Sequence, residues 1–120
     1  PHIAVLLNID DAHLDRHRSV AEYIRIKSRI FMNHRPDDIL ILPFEDDRLR
    51  PLARKHYGRT FFVSRKQPVE RGAWLEGGQA CFNMDSRVER LPVSPLFEQC
   101  PFPEDVLSAL LVAKLLDVPI

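Results

Sequence analysis

The chain has 120 residues, with Lys+Arg 17 against Asp+Glu 17, 45% hydrophobic residues and two cysteines. That length fits one compact domain with a small core. The zero formal charge supplies no global field to recruit nucleic acid or an acidic membrane. No apolar run approaches the roughly 20 residues of a membrane span, and Cys81 and Cys100 are too few and too far apart for a disulfide framework, so they read as reduced thiols of a cytoplasmic protein.

Pro1 opens directly into a strand-like run, with neither an initiator Met nor a basic leader, so the chain reads as a segment of a longer one. Ile3 to Leu7 (IAVLL) is a continuous apolar run of the kind buried on both faces of a parallel sheet. A polar turn follows, Asn8 to Arg18. Ser19 with Glu22 three residues later is a capping-box signature, and the spacing predicts a helix from Val20 to Met32. RPDD then breaks the helix before a second strand, Ile39 to Leu42. Asp46 to Tyr57 reads as a second helix that Pro51 would shorten and Gly58 would end. Thr60 to Val63 is a third strand. After Ser64 the texture changes to short runs with a Gly77-Gly78 turn and another near Met84-Asp85, which predicts antiparallel hairpins. Pro103 is placed as the first residue of a closing helix that runs to Leu116. The order indicates an α/β fold, a mostly parallel sheet with flanking helices and a small antiparallel appendage.

Two places carry chemistry. Val20, Tyr23, Ile24, Ile30 and Phe31 follow helical spacing, and Lys27 falls on the same stripe. One reading is a stem lying on apolar surface with its amine in water. The other is a desolvated amine that loses its proton more readily and adds carbon dioxide, which turns a cation into an anionic oxygen ligand suited to a hard metal. The turn NIDDAHLDRH, just after the first strand, offers Asp10, Asp11, His13, Asp15 and His17. Ligands sit outside the carboxyl ends of strands in open α/β sheets, although Asp-rich turns are also ordinary solvated loops. His13 and His17 stand at i and i+4, without a third ligand at zinc-site spacing. Trp74 and Cys81 read as packing residues in hairpin strands, RKHYGR and SRKQ as solvated basic faces, and Asp46-Asp47 as a helix start.

AVLLNIDDAHLDRHRSVAEYIRIKSRIF resembles the central domain of the Mur ligases: an apolar strand, N-I, then D-H-L-D-R-H-G-S and Y-x-x-x-K-x-x-I-F. The D-R-H variant points to the branch that adds D-glutamate. ILILPFEDDRLRPLA, GAWLEGGQACF and DVLSALLVAKLLDVP are similar to later segments of that domain, so the likeness spans nearly the whole chain. It implies that residues 1–120 form a single domain, the C-terminal part of a Mur ligase central ATPase domain, with the P-loop part and the N-terminal and C-terminal domains elsewhere. It also implies an ADP-forming amide ligase in cytoplasmic peptidoglycan synthesis that uses ATP, Mg2+, a UDP-muramoyl substrate and an amino acid. His13 falls on the family's histidine for a second magnesium ion, and Lys27 on the lysine that becomes a carbamate and serves the same ion. The last Asn of the family's adenine-contacting motif falls on Asp105.

The chain also departs from that pattern. Ala12 stands where Asp usually precedes the histidine, Arg18 where Gly follows D-R-H, and QCPFPED where the adenine motif has G-x-H-N-x-x-N. No G-x-x-x-x-G-K-[ST] loop occurs, so these 120 residues alone are expected to turn over nothing. An open sheet edge left by missing strands would invite pairing with a second copy. Two rival readings stay open: another ligase of the superfamily, such as a different Mur enzyme or a folylpolyglutamate synthase-like protein, and a diverged non-catalytic relative serving as a binding or scaffold module.

Overall fold

The computed structural model describes residues 3–7, 20–84, 86–93 and 103–117, leaving out the side chains of Val20, Ala21, Tyr23 and Lys27. The chain divides into two compact units, Pro1–Thr60 and Phe61–Ile120.

In the first unit, strand β1 (Ile3–Val5) pairs in parallel with β2 (Ile39–Pro43), Ile3 opposite Ile39 and Val5 opposite Ile41. The Leu6 amide extends the ladder by donating to the Ile41 carbonyl at 3.0 Å. Every residue of β2 is buried, which explains its unbroken apolar run: a strand covered on both faces has no polar side. Each fully buried Leu or Ile there contributes about 1.5–3 kcal/mol.

Helix α1 (Val20–Ser28) is shorter than the expected 20–32 and passes into a 3-10 turn, Arg29–Phe31. The Ser28 hydroxyl donates to the Ile24 carbonyl at 2.6 Å, a back-bond that competes with the regular ladder and loosens helix ends. The tighter turn steps about 120° per residue instead of 100°. Phe31 is buried while Ile30, expected on the same stripe, stands exposed.

The second helix expected over 46–57 is only a 3-10 helix, Arg50–Arg54, with Pro51 in its first turn. Asp46 is committed to the turn that leads into it: its Oδ1 accepts from the amides of Arg48 (2.8 Å) and Leu49 (3.2 Å). Arg50 folds back onto Asp47 at 3.0 Å and over the Phe44 ring. The acidic pair therefore starts a helical turn, as its sequence suggests.

Strand β3 (Arg59–Ser64) crosses into the second unit. There β4 (Gly72–Glu76), β5 (Gln79–Met84) and β6 (Arg87–Pro92) follow, then α2 (Pro103–Leu115). β3 and β4 pair in parallel, Phe62 opposite Gly72 and Ser64 opposite Trp74, whereas β4–β5 and β5–β6 are antiparallel. Parallel pairing outside the hairpins and antiparallel pairing within them is the α/β arrangement expected from the sequence. What the sequence did not indicate is that β4, read as the first arm of a hairpin, also runs parallel to β3. Residues 65–71 make that return without a helix, although parallel neighbours usually need a dozen residues or more. Gly72 makes it feasible. Its φ is +145°, and a Cβ there would lie 1.7 Å from the Phe62 carbonyl oxygen. The β4–β5 turn is Gly77-Gly78, with φ of 55° and 76°, the two positive values a tight two-residue hairpin demands.

α2 lies against β4 through its buried Leu107, Ser108 and Leu111. Near its end, Lys114 pairs with Glu89 of β6 and sits 5.6 Å above the Phe82 ring. β6 is mostly exposed, and its charges and Pro92 are of the kind that blunt an open strand.

Candidate functional site

β1 ends at Val5, with the Leu6 amide still on the ladder, and α1 begins at Val20. Residues 8–19, which carry most of the ligand-forming side chains, follow the carboxyl end of β1 and precede α1 in the sequence, and α/β folds gather ligands beyond the carboxyl ends of their strands. Asp10, Asp11, His13, Asp15 and His17 all lie outside the described residues, as do Ala12, Arg18 and Ser19. Lys27 is in the last turn of α1, and its side chain is outside the description. Among the described residues no group of three or more His, Cys, Asp or Glu converges on a point where a metal could be held. Asp105 is in the first turn of α2 and exposed.

The second unit has a cleft of about 210 Å³ beside the start of α2, lined by Arg65, Leu75, Glu76, Gly77 and Pro103. Arg65 reaches Glu104 at 3.6 Å. Glu76 is held by Arg90 at 2.7 Å, which raises the guanidinium's affinity for its proton. The same Arg90 donates to the Cys81 sulfur at 3.2 Å. Cys81 is a free, fully buried thiol, and burial pushes its pKa up against the opposing pull of Arg90. It is inert filler, as its place among strand residues suggests. Trp74 is likewise buried in β4, and its indole Nε1 has no hydrogen-bond partner among the described residues. The basic clusters read as solvated are exposed at Arg54, Lys55, Arg65 and Lys66.

One group escaped the sequence reading. His56, inside RKHYGR, is buried, and so is His34. His34 Nδ1 and His56 Nε2 are 2.6 Å apart, and His56 Nδ1 is 3.2 Å from the Thr60 hydroxyl. No local motif announces such a pair, because its members come from different connectors.

Comparison with known proteins gives the class. Residues 1–89 match the model of the Mur ligase middle domain, so the chain belongs to the Mur ligase family. Among its relatives is a UDP-N-acetylmuramoylalanine--D-glutamate ligase of Acidobacterium capsulatum, 37% identical, the match covering 98% of this chain and 26% of the relative. The ligase of the same name from Lactiplantibacillus plantarum is 34% identical over 99% of this chain and 26% of its own length. The chain thus spans about a quarter of these relatives. The fold is also that of part of a MurF ligase from Thermotoga maritima, solved in complex with ADP: TM-score 0.60, 22% identity, covering 100% of this chain and 29% of that one.

Proposed function

We propose that the protein carrying this chain is an ATP-dependent, ADP-forming ligase that joins D-glutamate to UDP-N-acetylmuramoyl-L-alanine in cytoplasmic peptidoglycan precursor synthesis. The observation that carries the reading is the family match over residues 1–89, joined to relatives of that name at 37% and 34% identity across nearly the whole chain. Among the described residues no helix is long and apolar enough to cross a membrane.

In this reading ATP phosphorylates the substrate carboxylate. ADP leaves at that step; the amino acid's amine then attacks the acyl carbon, loses a proton and displaces phosphate, giving the amide. A divalent ion supplies neutralisation of the charge on the transferring phosphoryl group. The chain's donor chemistry fits such an ion. The Lys27 amine and carbon dioxide form a carbamate with release of one proton, which yields carboxylate-like oxygens, and His13 adds an imidazole lone pair. Oxygen-rich donors completed by water are what Mg2+ takes. Asp105, exposed at the start of α2, is the residue left at the last position of the family's adenine-contacting motif and is assigned to the nucleotide on that likeness alone.

The test uses the full-length protein with ATP, Mg2+ and UDP-N-acetylmuramoyl-L-alanine, following phosphate release across D-glutamate, L-lysine and diaminopimelate. D-glutamate is expected to be preferred, and preference for either other amine overturns the assignment. Failure with all three favours the non-catalytic relative that Ala12 and QCPFPED suggest. Lys27→Ala should lower turnover by about 100-fold or more, the scale of losing a metal's support. The unmodified protein should give a carbamate carbonyl resonance with 13C-bicarbonate, and Lys27→Ala should abolish it.

A further inference from the structure

We propose that His34 and His56 form an acid-released latch between two connectors of the first unit, closed while the pair carries at most one extra proton and opened when both imidazoles become charged. His34 lies between the Arg29–Phe31 turn and β2, and His56 between the Arg50–Arg54 helix and β3. Their ring centroids are 4.8 Å apart. The Phe31 ring meets His56 edge-on at 5.4 Å, so the pair sits against an apolar wall away from water. The connectors touch elsewhere as well. The Arg59 amide donates to the Asp38 carbonyl at 2.8 Å, and Gly58 lies so close to the carbonyls of Asp38 and Arg35 that a Cβ would be 2.2 and 2.8 Å from them.

The chemistry follows from counting protons at the 2.6 Å contact. Such a bond needs an N–H on one side and a lone pair on the other. A neutral pair supplies both, with His56 Nδ1 and the Thr60 hydroxyl exchanging the remaining donor and acceptor roles. A pair with one extra proton also supplies both, as a charge-assisted bond. With two extra protons, N–H faces N–H and two like charges share a buried site. Among the described residues the Asp38 carboxylate is a charged group that faces His56 and favours its protonation, while its Oδ2 also accepts from the Arg35 amide at 2.8 Å. Burial and the neighbouring His34 outweigh it, and His56 binds its proton less readily than a free histidine of pKa 6.5. A group so depressed stabilises the closed form above its ordinary pKa, and that stability drains away as pH falls through 6.5 and below. Each proton taken up on opening shifts the equilibrium up to tenfold per pH unit.

Amide hydrogen exchange on the full-length protein, corrected for intrinsic rates, tests the latch at pH 7.5 and 5.5. The Arg59 and His34 amides, bonded to the Asp38 and Phe31 carbonyls, should open several-fold and up to about tenfold more often at pH 5.5. The β4–β5 amides should hold steady. Equal opening at both pH values, or a parallel rise in β4–β5, overturns the proposal. The double variant H34N/H56Q keeps amide groups at the bonding positions without titration and should remove the pH dependence, and its persistence counts against the latch. Should that variant fail to fold, nitrogen-15 titration of the unmodified imidazoles decides. Two separated, coupled steps support the latch, and independent titration of both near 6.5 refutes it.

Discussion

The two units hold themselves together by different means. In residues 1–60 the ordering elements are a strand buried along its whole length and a pair of interior imidazoles. In residues 61–120 they are hairpins with a glycine turn and ion pairs at the surface, Arg90 with Glu76 and Lys114 with Glu89. The lesson concerns where titration bites. Buried histidines respond to mild acid because burial disfavours their charge, whereas a surface carboxylate beside a lysine responds only when acid is strong enough to protonate it.

Mutations sharpen the contrast. The largest effect is expected from emptying either core. Phe82→Ala in β5 should cost about 3–5 kcal/mol, and Leu40→Ala in β2 about 2–5 kcal/mol, measured by urea unfolding; both side chains are fully buried. Gly72→Ala should cost roughly 3 kcal/mol, because backbone and not a yielding side chain opposes the new methyl. Gly77→Ala meets nothing within 4 Å and carries only the left-handed backbone penalty of about 1 kcal/mol. If Gly72 and Gly77 variants unfold alike, the close approach between β3 and β4 is not what fixes that turn of the chain.

Acid separates the units next. Both His56 and Glu89 are held below their ordinary values, so each contributes stability that is present at higher pH and is lost as pH falls. For His56 the loss begins near 6.5. For Glu89, depressed by the hydrogen bond and charge of Lys114, it begins near 4.5. Unfolding followed from pH 7.5 to 3.5 should show the first unit yielding before the second. The smallest effect is expected from Glu89→Gln, which should flatten only the lower window, since both partners are partly solvated and salt-screened.

Much of this was readable beforehand because it is local or cumulative. The apolar run at β2, the two glycines between β4 and β5, and Pro103 at the start of α2 each announce their structure through backbone freedom or unbroken hydrophobicity. The turn at Asp46 did too. Other features depend on a partner far along the chain. Nothing near Arg29 says that Ile30 will turn outward, since that depends on a change of helical pitch. Nothing in KHYG says that its histidine will be interior, since the partner imidazole is 22 residues away.

The amino-acid order alone pointed to the family and to the α/β class, because strand runs, turn glycines and the D-R-H and lysine spacing are written in consecutive positions. Only the tertiary structure decided that β4 runs beside β3 in parallel and that two separate histidines share one hydrogen bond. Both depend on distances between chain segments that no short window of sequence contains, and on free energies that appear only once water has been excluded from between them.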